Sequence, residues 1–245
     1  MRRFFIEEMT GAAGTARITG AEFTHLKKVL RLSVGADVVL FNGRGLVTQA
    51  VIVEMGDNFA EVRITGPCPQ TRESPVEITL LQAFVKGDKP EFIIQKATEL
   101  GASAISFYTT ERTVPLAPNP KREARWRKIS IGAAKQCRRG VLPRISVAGS
   151  LAKVLAEWES RGALKLALWE GVSEAGTIKE ALRSGSGAEG VVVLVGPEGG
   201  FSKDEVDAAA RAGFRIVGLG PRILRAETAA VAALALMQYE LGDLN

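Results

Sequence analysis

The sequence predicts an α/β protein in two parts, a small and mostly β domain over residues 1–72 and a parallel-sheet domain over residues 73–245. Three observations predict it. Near the amino terminus, Asn42-Gly43 lies between two β-branched runs, and Asn-Gly supplies the positive φ that a hairpin turn needs. Residues 66–75 form a polar stretch rich in proline, the best linker in the chain. Beyond it apolar strands alternate with amphipathic helices, the rhythm of parallel strands joined by helical crossovers.

In the first part, Phe23, Leu26, Val29 and Leu30 stand at helical spacing within residues 21–31. Strands are expected at 37–41, 46–53 and 59–65. The second part opens with an apolar strand at 76–84. A helix at 90–100 follows, with Pro90 in its first turn and Gly101 just past its end. A strand at 103–108 leads to a helix at 122–139 whose spacing would bury Trp126, Ile129, Ala133 and Cys137. A helix at 151–161, a strand at 164–169 and a short helix at 178–183 come next. Val191–Val195 is apolar throughout, as a strand buried on both faces should be. Ser202-Lys203-Asp204-Glu205 is a capping box opening a helix that stops at Gly213. A strand at 215–219 and a helix at 226–241 complete the pattern.

The composition, 46% hydrophobic and 24% charged over 245 residues, is that of a globular protein. No run approaches the ~20 apolar residues that cross a bilayer. The amino terminus turns acidic at Glu7-Glu8 before any signal-type apolar stretch develops. Cys68 and Cys137 are isolated and lack metal-ligand spacing, so the expectation is a reduced, cytoplasmic protein with no metal and no membrane association. Charge is unevenly placed, with net values of +2, +6 and −3 over residues 1–72, 73–150 and 151–245. Between residues 121 and 144 nine basic side chains face Glu123 alone. Such a stripe suits a polyanion, because each neutralised phosphate releases condensed counterions. A solvated helix face is the alternative; Trp126 inside the run and the acidic rest of the carboxy-terminal half lean toward RNA.

Two glycine-rich turns each follow a buried strand, where α/β sheets place ligands. The first is Gly196-Pro197-Glu198-Gly199-Gly200-Phe201-Ser202, and the second is Gly218-Leu219-Gly220-Pro221-Arg222-Ile223-Leu224-Arg225-Ala226-Glu227-Thr228-Ala229. Glycines let the main chain approach a ligand closely. Neither turn is a triphosphate loop, since no Gly-Lys-Ser/Thr follows. Glu198, Arg222, Arg225, Glu227 and Thr228 exceed what helix capping requires, and both charge signs would meet in one cleft.

These two turns closely resemble those of the RsmE-type 16S ribosomal RNA uridine-N3 methyltransferases of the SPOUT class. Further matches are Lys86-Gly87-Asp88-Lys89, Gln95-Lys96-Ala97-Thr98-Glu99-Leu100-Gly101, Thr110-Glu111-Arg112 and Gln136 with Arg139. Arg2-Arg3-Phe4-Phe5 and His25 followed by Val29-Leu30-Arg31 also agree, so the likeness runs from residue 2 to about 240. Thr113, Lys135 and Pro221 depart from the family pattern without touching the glycines.

The resemblance implies a carboxy-terminal domain tied in a trefoil knot, an amino-terminal PUA-like RNA-binding module and a homodimer. It implies S-adenosylmethionine held by Leu194, Gly196, Pro197, Gly199, Leu219, Gly220, Ile223 and Leu224. It implies methyl transfer to a uridine N3 in 16S rRNA, with the small ribosomal subunit as the expected partner. Transfer to a ring nitrogen needs positioning and a deprotonated nitrogen rather than a covalent nucleophile. Arg225 is expected to stabilise the developing anion, with Glu227 or Glu198 as proton acceptor or orienting group. For both acids, helix capping or an ion pair is an equal alternative. Expected RNA contacts are Arg2, Arg3, His25, Lys28, Arg31, Arg112, Arg122, Arg125 and Arg139. On sequence alone His25 reads more readily as a half-exposed helix residue than as an RNA contact, and Trp126 more readily as core than as a stacking platform. Another SPOUT enzyme acting on transfer RNA or a ribose 2′-OH, or a non-catalytic RNA-binding protein, remains the alternative.

Overall fold

The computed structural model describes residues 2–9, 11, 13–68, 72–113, 119–171, 176–185 and 190–244. By their contacts they form two units, one of residues 1–73 with 131–142 and one of residues 74–130 with 143–245.

In the first unit, β1 (Arg2–Phe5), β2 (Thr15–Thr19), β3 (Asp37–Phe41), β4 (Val47–Met55) and β5 (Phe59–Pro67) form one sheet in the order β1-β3-β4-β5-β2. β1 pairs parallel with β3, and the other pairs are antiparallel. The expected hairpin forms between β3 and β4, but Phe41 pairs with Val47, so its loop is longer than a two-residue turn. Asn42 organises that loop with its side chain: Oδ1 accepts from the amides of Arg44 at 2.8 Å and Leu46 at 3.2 Å. Gly43 supplies the positive φ, at 74°.

Helix α1 (Gly20–Thr24) runs into a π-helical turn, His25–Val29. The wider register keeps Phe23 and Leu26 buried but turns Val29 out to 64% exposure, against the regular helix expected there. The segment 131–142 belongs to this unit because Ala134, Ile131 and Leu142 pack with Val39, Phe41 and Val47. Glu73 also accepts from the amides of Gly140 and Val141. The sequence-based boundary at 72/73 had placed that segment with the second part.

The second unit contains β6 (Ile78–Ala83), α2 (Lys89–Glu99), β7 (Ala104–Thr109), most of α3 (Pro120–Cys137), β8 (Arg144–Ser150), α4 (Leu151–Trp158), β9 (Leu164–Leu168), α5 (Ile178–Ser184), β10 (Val191–Val195), α6 (Lys203–Arg211), β11 (Arg215–Val217) and α7 (Ala226–Leu241). Its six strands are all parallel, in the order β11-β9-β10-β6-β7-β8.

Strand period two divides the core between the faces. Leu80, Leu166 and Val193 pack with Ile93, Trp126, Leu182 and Leu234 of α2, α3, α5 and α7. Leu81, Ala167 and Leu194 pack with Val154 and Val206 of α4 and α6. Two covered faces explain why β10 carries no polar residue. Among the described residues no helix is long and apolar enough to cross a membrane.

Candidate active site

β11, β9 and β10 are neighbours, and the segments leaving their carboxyl ends converge at one end of the sheet. They enclose a cavity of about 320 Å³. Its lining comprises Lys89 of α2, Leu168, Trp169 and Glu170 at the end of β9, Gly196–Glu198 with Gly200 and Phe201 after β10, and Gly218–Ala226 with Ala229 after β11.

The first glycine turn is held from below. Tyr108 of β7, fully buried, donates its hydroxyl to the carbonyl of Val195 at 2.8 Å. Desolvation, with the Glu205 charge behind it, pushes that phenol well above its ordinary value, so it remains a donor. Buried Gln82 donates its amide to the carbonyls of Ala83 at 3.0 Å and Gly196 at 3.3 Å. Gly200 closes the turn by donating to the Pro197 carbonyl at 3.0 Å, with φ at +66°. A β-carbon there would be strained and would run into the Glu170 carboxylate. The capping box then starts α6: Ser202 and Glu205 bond each other's amides at 2.9 and 3.3 Å. The other oxygen of Glu205 accepts from the Glu111 amide at 3.1 Å, fastening the turn after β7.

Of the residues expected to hold a cofactor, Gly196, Pro197, Leu219, Gly220, Ile223 and Leu224 line the cavity. Leu194 and Gly199 are outside its lining. Leu194 points to the α4 and α6 side of the sheet by strand alternation and is fully buried there. Gly199 turns toward Arg112, whose Nη1 donates to the Gly199 carbonyl.

Of the expected catalytic residues, Glu198 and Arg225 line the cavity, and Glu227 adjoins it through Lys89. The Lys89 ammonium lies 2.9 Å from Glu198 Oε1 and 3.6 Å from Glu227 Oε2. Glu198 Oε1 also accepts from the Lys86 amide at 2.9 Å. Burial raises the Glu198 pKa, yet the hydrogen bonds from Lys89, the Lys86 amide and its own amide outweigh it and hold the carboxyl below its ordinary value. Lys89 is raised, first by its hydrogen bond to Glu198. Glu198 is therefore a weak proton acceptor and an effective anchor for Lys89. Lys89, Trp169, Glu170 and Phe201 were not singled out from sequence; Lys89 and Phe201 had a signal, as parts of Lys86-Gly87-Asp88-Lys89 and of the first glycine turn.

The expected RNA contacts divide by environment. Arg2, Lys28, Arg31, Arg112 and Arg125 are exposed, and His25 is half-buried at the start of the π-helical turn. Arg125 is paired with Glu91 at 2.6 Å. Arg122 lies over the rings of Phe84 and Trp126, and Trp126 is core, at 2% exposure. Arg139 is 3% exposed and bonded to Glu73 at 2.9 Å, so it is an internal ion pair rather than a surface contact. Arg3 donates to the Arg139 carbonyl at 2.8 Å and lies over the Phe41 ring; desolvation lowers its pKa. Sequence spacing cannot separate these internal arginines from exposed ones.

Residues 72–238 match the family model of an RNA methyltransferase domain, and residues 18–65 match that of an RNA methyltransferase PUA domain. The ribosomal RNA small subunit methyltransferase E of Bacillus subtilis is 31% identical over 98% of this chain and 97% of its own. A crystal structure of that enzyme from Neisseria gonorrhoeae, bound to S-adenosylmethionine, superimposes over 100% of both chains with a TM-score of 0.90 and 35% identity. A Legionella pneumophila methyltransferase, also with bound S-adenosylmethionine, covers 99% of this chain and 98% of its own at a TM-score of 0.86 and 32% identity.

Proposed function

The chain belongs to the ribosomal RNA small subunit methyltransferase E family, a SPOUT-type α/β methyltransferase with a PUA-like domain, and from that premise we propose that it methylates N3 of a uridine in 16S rRNA, forming 3-methyluridine. The observation that carries the reading is the cavity where the two glycine turns meet, with Glu198, Lys89 and Arg225 in its wall.

The lining fits S-adenosylmethionine in chemistry. Leu168, Leu219, Leu224 and Ala229 offer apolar surface, Glu170 suits a cationic group of the cofactor, and Arg222 suits its carboxylate. Gly196, Pro197, Leu219, Gly220, Ile223 and Leu224 are the residues that would hold it. The bound cofactor supplies an electrophilic methyl group. The protein's own task is to orient the base and stabilise N3 as it loses its proton. Arg225, exposed at the start of α7, stabilises that negative charge. Glu198 anchors Lys89, and Glu227, beside the same ammonium, is the proton acceptor.

Exposed Leu236 and Tyr239 on α7 support a homodimer built on that helix. A trefoil knot through the glycine turns is part of the same proposal and rests on the family membership. The natural substrate is the RNA of the small ribosomal subunit, in the cytoplasm. Arg225→Ala tests the mechanism: turnover on small ribosomal subunits should fall roughly a hundredfold or more while calorimetric cofactor affinity stays within a few fold. Full activity would remove Arg225 from the chemistry.

A further inference from the structure

We propose that a second cavity beside the cofactor pocket receives the target pyrimidine base, turned out of the RNA; this rests on the function proposed above. The cavity measures about 300 Å³, at the small end of the ~300–1,000 Å³ typical of ligand sites. It opens at the carboxyl ends of β6, β7 and β10, whereas the cofactor pocket opens at those of β11, β9 and β10. The two are neighbours along the sheet, and Glu198 lines both.

The wall chemistry is that of a base pocket. Phe84 and Trp126 are core residues, 4% and 2% exposed, that form the apolar base of the cavity under Arg122, with Val85 and Pro90 beside them. The Arg122 guanidinium lies 5.7 Å from the centroid of the Phe84 ring and 5.3 Å from that of Trp126. With the rings covered, the Arg122 guanidinium is the planar group left to the base, and guanidinium planes are among the surfaces on which proteins stack unpaired bases. Both acids in the wall are compensated: Glu91 by Arg125 at 2.6 Å, and Glu198 by Lys89 at 2.9 Å and the Lys86 amide. The wall therefore offers no net repulsion to a nucleotide, and exposed Arg112 at the rim suits its phosphate. Neither Gly196 nor any residue of the second glycine turn lines this cavity, which separates it from cofactor binding. An enzyme acting on a base must take it out of the stack into such a pocket.

The test is photochemical. The protein, saturated with S-adenosylhomocysteine, is irradiated with 5-iodouridine 5′-monophosphate, and the adduct is mapped by peptide mass spectrometry. The adduct should fall on the peptides carrying Phe84 or Trp126, be displaced by uridine 5′-monophosphate, and drop severalfold in Arg122→Ala. Adducts confined to other peptides, or insensitive to the competitor, would overturn the assignment. As a second readout, Arg122→Lys keeps the charge but loses the plane, so kcat/KM for RNA should fall roughly ten- to hundredfold with unchanged cofactor affinity. Wild-type kinetics in that variant would also overturn it. If the wild-type protein labels at Phe84 or Trp126 yet methylates no RNA, the function proposed above fails and the base pocket stands.

Discussion

Lys89 and Glu198, 109 positions apart, meet at 2.9 Å and place a charged pair in the wall of the cavity between the glycine turns. The pH behaviour of this pair follows from its shifts. Glu198 is depressed below 4.5, so its contribution is present above that value and fades as pH falls through the folded value. Lys89 is raised above 10.5, so its contribution is present below that value and fades as pH rises through the raised one. The pair is thus intact across the neutral range. Glu198→Gln should lower the melting temperature by a constant amount between about pH 5 and 9, with the gap to wild type closing in stronger acid. A gap that varies through neutrality would show that another group governs the pair. Gly220, at φ +102°, tests the second turn: Gly220→Val should cost at least tenfold in S-adenosylmethionine affinity by calorimetry while the protein stays folded. Unchanged affinity would place the cofactor elsewhere. At this scale the sequence exposed the glycines and acids through their local motif. It could not show that Lys89 bridges two of those acids, because that meeting depends on β6 lying beside β10.

Among the elements, α6 depends most visibly on its capping box, since Ser202 and Glu205 satisfy amides that the helix would otherwise leave open. Ser202→Ala should cost about 1 kcal/mol in chemical denaturation. Glu205→Ala should cost more, because Glu205 is buried and also accepts from the Glu111 amide. Equal losses would mean that the tie to the turn after β7 contributes nothing. Interior elements were legible in sequence: β3, β10 and α7 have the limits that their apolar patterns suggested. β1, β2 and β8 were not, and each is a sheet edge. β2 buries only Ile18 among its five residues, and β8 buries none fully, so neither carries the alternation that marks a half-buried strand. The π-helical turn after α1 was missed for a related reason: its extra residue changes which side chains face inward without altering their spacing in the chain.

Over the whole molecule, the basic excess of residues 73–150 divides between internal ion pairs and exposed charge. Lys121 and Lys128 are exposed on α3, whereas Arg139 is spent inside the protein. Reversing Lys121 and Lys128 to Glu should weaken RNA binding and flatten its salt dependence, by about 0.7–0.9 in slope for each phosphate that is no longer neutralised. An unchanged slope would make that stretch a solvated face. The central claim is the identity of the methylated atom, and one measurement addresses it most directly. Small ribosomal subunits lacking the modification are incubated with the protein and labelled S-adenosylmethionine, and their RNA is digested for nucleoside mass spectrometry. Label in 3-methyluridine is the predicted result; label in any other nucleoside, or none, would contradict it.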